Sequence, residues 1–306
     1  MKISIVGIGR VGSTLAYTIA LKGLCSELIL VNRRPKIAQG DAYDLRHAMS
    51  FLDRPFEVRH GDLSATRGSD LIALCASVPT PAGLKSRLEL LEGNVKLFRE
   101  LIPPLAALSP HAVLLIVSNP VDVLTYFALK FSGFPPARVI GTGTLVDSAR
   151  FRAMLSEEVS IHPEDLRAYI LGEHGDHQFP CLSQAQAGGE HIVDNERRRK
   201  MFKEAVAAGY QVFSYKGYTN FAVSLAAALI IEAVAFDSKR TMPASVLIDG
   251  FHGISGVCLS LPVVIGRPGV TRILHPEFNQ EEIAAFQRAA ASVQAAIKQA
   301  EAILAS

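Results

Sequence analysis

The sequence predicts an α/β protein: a doubly wound parallel sheet followed by an α+β domain. Three observations carry that expectation. Short apolar runs alternate with longer amphipathic stretches through the first half, a glycine-rich turn follows the first run directly, and the rhythm changes near residue 145. Ile3 to Ile8, Glu27 to Val31, Leu71 to Ala76, Val113 to Val117 and Val139-Ile140 are near-continuously apolar, as parallel strands covered on both faces should be. Between them Val11 to Lys22, Ile37 to Met49, Leu88 to Leu108 and Val121 to Phe131 carry helical spacing. Strand and helix in strict alternation imply right-handed crossovers and a parallel sheet.

Beyond residue 145 the pattern differs. Leu145 to Leu155, Arg197 to Phe213 and the alanine-rich Thr219 to Phe236 read as helices, the last apolar on most sides and so expected to be buried. Val246 to Asp249 and Val257 to Ile265 read as antiparallel strands. A closing amphipathic helix, Gln280 to Leu304, starts at Asn279 with Glu282 three residues on, the spacing of a capping box. The expected division is 1–145 and 146–306.

Composition excludes several functions. The 306 residues are 49% hydrophobic and 20% charged, the balance of a globular protein with a large core. Lys and Arg number 31 against 29 Asp and Glu, which gives no reason to expect nucleic acid or an anionic membrane as partner. The basic run Arg197 to Lys200 reads as a solvated face. Cys25, Cys75, Cys181 and Cys258 are scattered without CxxC spacing, so no metal site and a reducing compartment are expected. The first residues carry no charged-then-apolar leader, and the longest uncharged run, Leu101 to Val121, holds four prolines. A cytoplasmic protein is the expectation.

Gly7-Ile-Gly-Arg-Val-Gly12 lies between the first strand and the first helix. In that context Gly7, Gly9 and Gly12 allow a tight turn, and the backbone around Arg10 and Val11 meets a pyrophosphate at the helix N-terminus, the phosphate site of a Rossmann sheet. An acidic residue that would bind the ribose of NAD is expected about 20 positions further on. The second strand ends instead at Asn32, followed by Arg33 and Arg34. Two forked guanidinium groups suit the 2′-phosphate of NADP, or dual use of both cofactors. Alternatively both arginines are solvated and Asn32 alone serves the ribose of NAD.

Four further segments stand in order: Val117 to Asp122, Gly141 to Arg152, Leu171 to Asp176, and Lys216 to Thr219. With the glycine turn they resemble the lactate/malate dehydrogenase family, including its L-2-hydroxyisocaproate dehydrogenase branch, over essentially the whole chain. The resemblance implies a cytoplasmic L-2-hydroxy acid dehydrogenase, a homodimer or homotetramer, with residues 146–306 as the substrate domain. Such a reaction needs a base for the hydroxyl proton, a cation for the carboxylate and a hydride acceptor. His174 is the natural base, since imidazole titrates near neutral pH. Three residues after Asp147, Arg150 shares its helical face and can hold a carboxylate through two donors. By resemblance Asp147 orients His174, Asn119 binds near the reacting oxygen and nicotinamide, and Thr219 lines the substrate pocket. Each has a plainer reading alone, His174 as a turn residue and Asp147 as a helix cap; the ordered set favours catalysis.

After the third apolar strand, Cys75 to Arg87 resembles the family's substrate-closing loop, with Arg87 polarising the reacting carbonyl. Where pyruvate reducers of the family usually carry Gln and oxaloacetate reducers Arg, this chain has Thr80, or Pro81 if the alignment slips by one. Without a guanidinium there, the far carboxylate of a dicarboxylate would be buried unpaired, so L-lactate and pyruvate are the expected pair, a larger 2-oxo acid second and malate third. Arg152 and Arg167 stand where some relatives place an Arg and a His to bind fructose 1,6-bisphosphate between subunits; surface charges are the favoured reading and an anionic effector site the alternative. Two rivals remain: a glycosidase of the same fold, which would need a Cys and His metal cluster this chain does not display, and a catalytically decayed nucleotide sensor.

Overall fold

The computed structural model describes residues 1–79 and 90–305. Thr80 and Arg87 lie outside the described residues. β1 (Lys2–Val6), β2 (Glu27–Val31), β3 (Glu57–Gly61), β4 (Leu71–Leu74), β5 (Val113–Ile116) and β6 (Val139–Gly141) run parallel in the order β3-β2-β1-β4-β5-β6. This is the Rossmann order, in which the chain reverses between β1 and β4 and a crevice opens at their carboxyl ends. The period-two geometry of a strand divides the apolar side chains between two cores. Ile3, Ile5, Leu28 and Leu30 face one, with Leu15 and Ile19 of α1 (Arg10–Lys22) and Ala38 and Leu45 of α2 (Pro35–Ala48). Val6, Ile29, Val31 and Ile72 face the other, with Phe98 and Ile102 of α3 (Leu91–Leu108) and Leu124 of α4 (Val121–Ser132). α3 runs through Pro103 and Pro104, which remove two backbone donors; the fully buried stripe Val95, Phe98, Ile102 and Leu105 holds it in place.

The second half opens with α5 (Leu145–Val159) and continues through β7 (Leu166–Arg167), β8 (Ile170–Gly172), β9 (Gln178–Pro180), β10 (Gln186–Ala187) and β11 (Glu190–His191). It closes with α6 (Glu196–Lys216), α7 (Phe221–Ala235), β12 (Arg240–Phe251), β13 (Ile254–Gly266), β14 (Gly269–Ile273) and α8 (Gln280–Ala305). β12 and β13 form an antiparallel hairpin, paired from Arg240 with Ile265 to Phe251 with Ile254. Single bridges, Ser245 to Gly141 and Ser260 to Gly172, connect this hairpin to β6 on one side and β8 on the other. The loops after β6 and β8 are thereby brought to the same end of the molecule. No helix among the described residues is long and apolar enough to cross a membrane.

Three elements depart from the pattern-based expectation. β3 carries one fully buried residue, Val58, on a sheet edge, so its sequence lacks the apolar run that marks a central strand. β12 starts at Arg240 rather than Val246, because Pro243 sits opposite Pro262 and interrupts the strand signal without ending the strand. The helix expected from Thr219 starts at Phe221, leaving Thr219 in the connection from α6.

The closing helix keeps its expected start. Asn279 Oδ1 accepts the Glu282 N–H at 2.9 Å and Glu282 Oε2 accepts the Asn279 N–H at 3.0 Å. Glu282, 5% exposed, also accepts from the Ser183 N–H at 3.0 Å and the Ser183 hydroxyl at 2.5 Å. One carboxylate thus caps α8 and fastens it to the segment after β9. Glu282→Ala is expected to destabilise the fold by about 2–3 kcal/mol, the sum of a lost cap and a stranded Ser183 donor, read as a lower denaturant midpoint at unchanged slope.

Candidate active site

The glycine turn is shaped by its neighbours. Gly7 adopts φ +102°, and a Cβ there would lie 2.2 Å from the Ala76 nitrogen, so β1 can turn into α1 only if this residue has no side chain. A Cβ on Gly12 would lie 2.1 Å from the Gly7 carbonyl oxygen, whereas a Cβ on Gly9 would meet nothing within 4 Å. Gly9 is the N-cap of α1 and provides no capping side chain, and the first turn carries no acidic residue. The backbone donors of Arg10, Val11 and Gly12 therefore start a helix whose positive end faces open space, the arrangement that receives a pyrophosphate. These residues fit a dinucleotide.

The other end of α6 closes over this turn. The Arg10 guanidinium lies 3.8 Å from the centroid of the Tyr218 ring, and Asn220 Nδ2 donates to Thr14 Oγ1 at 2.9 Å. Ser224 Oγ of α7 donates to the Val11 carbonyl at 3.0 Å. Thr219, half-buried, lies in this connection between Tyr218 and Asn220, the two residues that contact α1. Asn32 Nδ2 donates to the Ile8 carbonyl at 2.5 Å and its Oδ1 accepts the Arg34 N–H at 3.2 Å, so the amide ties the end of β2 to the glycine turn. Arg33 and Arg34 are exposed and form no ion pair with the described residues.

Asn119 ends the segment after β5, joined to Pro120 by a cis peptide bond. Its carbonyl accepts from Asn94 Nδ2 at 2.7 Å, and Asn94 also accepts the Val78 N–H at 2.7 Å. Asn94, fully buried on α3, thus fastens the strand that leaves β4 to the residue that follows β5. Asn119 Oδ1 is buried and has no hydrogen-bond partner among the described residues. An unsatisfied buried acceptor of this kind is costly unless a ligand supplies the donor.

Asp147, Arg150 and His174 come together as expected. Asp147 lies in the first turn of α5 at 1% exposure. Its Oδ2 stands 2.5 Å from His174 Nδ1, and its Oδ1 accepts from Arg150 Nη1 at 3.0 Å. With Nδ1 set against a carboxylate, the ring carries its proton there, which leaves Nε2 as the acceptor nitrogen of the neutral ring. The His174 side chain is 10% exposed and that of Arg150 19%, so both can be reached from solvent only along a narrow front.

The spacing of the sequence gave no hint of two other contacts. The His174 N–H donates to Asp122 Oδ2 at 2.6 Å, across 52 residues. Burial pushes the Asp122 carboxyl up from 3.8 to about 7; the Ser245 hydroxyl and the His174 N–H act the other way, and the neighbouring Glu173 and Asp147 carboxylates reinforce the rise. Glu173, 8% exposed, pairs with His177 Nδ1 at 2.8 Å. Asp122 is the last residue of the Val117–Asp122 motif, but only tertiary packing shows what it holds.

Arg152 and Arg167 line a cavity of about 270 Å³ with His162, Glu164, Tyr169 and Arg240. Burial, joined by the charges of Arg167 and Arg240, holds the Arg152 guanidinium below its ordinary value. Glu164 pairs with Arg240 at its rim. Among the described residues no group of three or more His, Cys, Asp or Glu is placed to hold a metal ion.

Comparison with known proteins agrees with this geometry. Residues 1–141 match the family model of the lactate/malate dehydrogenase NAD-binding domain, and residues 144–304 that of the lactate/malate dehydrogenase alpha/beta C-terminal domain. An L-lactate dehydrogenase of Thermoanaerobacter pseudethanolicus is 39% identical over 97% of this chain and 98% of its own length. L-lactate dehydrogenase B of Hordeum vulgare is 41% identical over 94% of this chain and 88% of its own length. Among solved structures, MGS-M5, a lactate dehydrogenase from a Medee basin deep-sea metagenome library, superposes with a TM-score of 0.94 at 31% identity, covering 98% of both chains. The matched models cover both halves of the chain, and the chain belongs to the lactate/malate dehydrogenase family, as an NAD-dependent oxidoreductase acting on a 2-hydroxy acid.

Proposed function

We propose that this protein is an L-lactate dehydrogenase, interconverting pyruvate and L-lactate. The observation that carries the reading is the single buried carboxylate of Asp147 bound to both the His174 ring and the Arg150 guanidinium. An imidazole and a guanidinium held on one carboxylate support the reading, because a 2-hydroxy acid requires a proton-exchanging group and a carboxylate-gripping group side by side. Gly7 to Gly12, with Asn32 and Asn119, would hold the dinucleotide, which when bound would accept the hydride as NAD+ or supply it as NADH. Arg150 takes the substrate carboxylate through its forked guanidinium. His174 Nε2 accepts the hydroxyl proton during oxidation and returns it during reduction, while Asp147 stabilises the imidazolium. Asn119 Oδ1 or its amide meets the reacting end of the site, and Thr219 bounds the substrate side chain.

Arg87 is assigned the polarisation of the carbonyl and Thr80 the choice of side chain. Thr80 admits a methyl group and offers no cation, which places pyruvate ahead of oxaloacetate, with L-2-hydroxyisocaproate-type substrates as the second reading. The purified enzyme is expected to reduce pyruvate with a kcat/KM at least about tenfold above that for oxaloacetate, since an unpaired buried carboxylate costs more than 1.4 kcal/mol. His174→Asn is expected to lower kcat by about 10²–10⁴-fold while NADH affinity by fluorescence titration stays within twofold. Turnover that survives this substitution removes His174 as the base.

Arg33 and Arg34 extend the ribose end of the site to a 2′-phosphate, so NADPH is accepted beside NADH. Their exposure and lack of an ion pair among the described residues support this. Replacing both by Ala is expected to raise KM for NADPH by about tenfold or more and leave KM for NADH unchanged, the loss of about one charge-assisted hydrogen bond. Equal KM values before and after the change reduce both arginines to surface charges.

The active species is a homodimer or homotetramer in the cytoplasm, in keeping with four free cysteines. α1 and α7, tied by the Lys22–Glu232 ion pair, expose Tyr17, Leu21, Phe221 and Leu225, which a second copy of the chain would cover. The cavity at Arg152, Arg167 and Arg240 is assigned to an anionic effector. Sedimentation velocity with and without inorganic phosphate tests both: Leu21→Glu with Leu225→Glu is expected to halve the mass or more, and phosphate to stabilise the assembly of the parent protein but not of Arg152→Ala. A parent monomer under both conditions overturns the assembly.

A further inference from the structure

His174 is held at two points, and the activity proposed above uses only one of them. Its ring is bound by Asp147 of α5; its main chain is bound by Asp122 of α4. The loop that carries it needs such a hold. Gly172 enters it at φ +87°, Gly175 closes a tight turn by donating to the Glu173 carbonyl at 2.9 Å, and no regular ladder pairs the residues between β8 and β9. A side chain fixed only at its ring nitrogen leaves the backbone of such a loop several ways to approach it.

We propose that Asp122 is a positioning residue for the base, fixing the main chain of His174 so that Nε2 meets the substrate in one orientation. The geometry supports this from both sides. Asp122 is 3% exposed and sits in the first turn of α4, three residues after Asn119, so one short segment places Asn119 in the site and grips the base from behind. The groups that face it are the carboxylates of Glu173 and Asp147, the buried thiol of Cys258, the hydroxyl of Ser245 and the His174 amide, with no cation in an ion pair with it among the described residues. Arg150 is engaged by Asp147 and His177 by Glu173. A carboxylate kept in an acidic, buried setting without a cation is not there for its charge; its carboxyl, raised to about 7, is the expected consequence. What Asp122 offers is an acceptor oxygen at 2.6 Å from the His174 nitrogen. A neutral amide oxygen can make the same contact.

The inference rests on His174 being the base of the proposed reaction, and two variants with two readouts separate them. Asp122→Asn keeps an acceptor and is expected to hold kcat/KM for pyruvate within threefold of the parent. Asp122→Ala removes it and is expected to lower kcat/KM at least tenfold, with NADH affinity within twofold of the parent. Hydrogen exchange of the His174 amide is the second readout: protection in the parent and in Asp122→Asn, with loss of at least tenfold in Asp122→Ala. Asn falling as far as Ala, or Ala retaining parental kcat/KM, overturns the proposal. If Asp122→Ala does not fold, the His174 amide of the parent and of Asp122→Asn decides, and exchange at the rate of an unprotected loop in either overturns it. A parent enzyme that turns over no 2-oxo acid refutes the activity, while the exchange measurement still decides what Asp122 does.

Discussion

The arrangement of this site depends on one buried carboxylate. Asp147 is almost fully removed from water, and an ionised group there is tolerable only if its lone pairs are taken up by donors. Both oxygens are: one by the His174 ring, one by Arg150. Each partner in turn depends on Asp147. The ring nitrogen that faces it must carry the proton, so in the proposed reaction the opposite nitrogen is the one that meets the substrate. The guanidinium is pinned before any substrate arrives, which lowers the entropy lost when a carboxylate binds.

The fold supplies this carboxylate with neighbours from distant parts of the chain. Asp147 follows β6, Asn119 and Asp122 follow β5, and the glycine turn follows β1, so all three stand at the carboxyl ends of parallel strands, where an open sheet places its crevice. His174 comes from outside the parallel part of the sheet. It reaches the same place because β13 bridges to β8 at Ser260 and Gly172, while β12 bridges to β6 at Ser245 and Gly141. The hairpin acts as a spacer between the strand that ends near Asp147 and the strand that ends near His174. Its burial is near complete over Ala244, Val246, Leu259 and Leu261, so the separation is set by core packing rather than by a surface loop.

How much of this could be read from the residues follows from the range of the interactions involved. Parallel strands buried on two faces write their position into local composition, and the Gly7–Gly12 turn and the Asn279–Glu282 box are local hydrogen-bonding devices; these were legible. The pairing of Asp147 with Arg150 is one helical turn and was legible too. β3 was not, because an edge strand with one buried side chain has no apolar run to read. The double duty of Asn32, which ties β2 to the glycine turn, was read only as a ribose ligand, since its contact with the Ile8 carbonyl spans 24 residues. Asp122 was quoted within a motif without a task, because its partner lies 52 residues away and is a main-chain group that no side-chain pattern marks.

Charge placement around the base suggests why these long-range contacts are built as they are. Asp122, Asp147 and Glu173 are all at least nine-tenths buried within one small region, and the neighbouring carboxylates of Glu173 and Asp147 reinforce the rise at Asp122. Asp147 and Glu173 have a guanidinium or ring nitrogens set against them. Asp122 has none and is the group that burial pushes up, to about 7. The site can therefore relieve its excess of negative charge at the one carboxyl whose task, accepting a backbone N–H, survives protonation, because the carbonyl oxygen of the neutral acid still accepts. Division of labour among three carboxyls leaves Asp147 as the acceptor beside the His174 ring, the contact on which the proposed proton exchange at Nε2 depends.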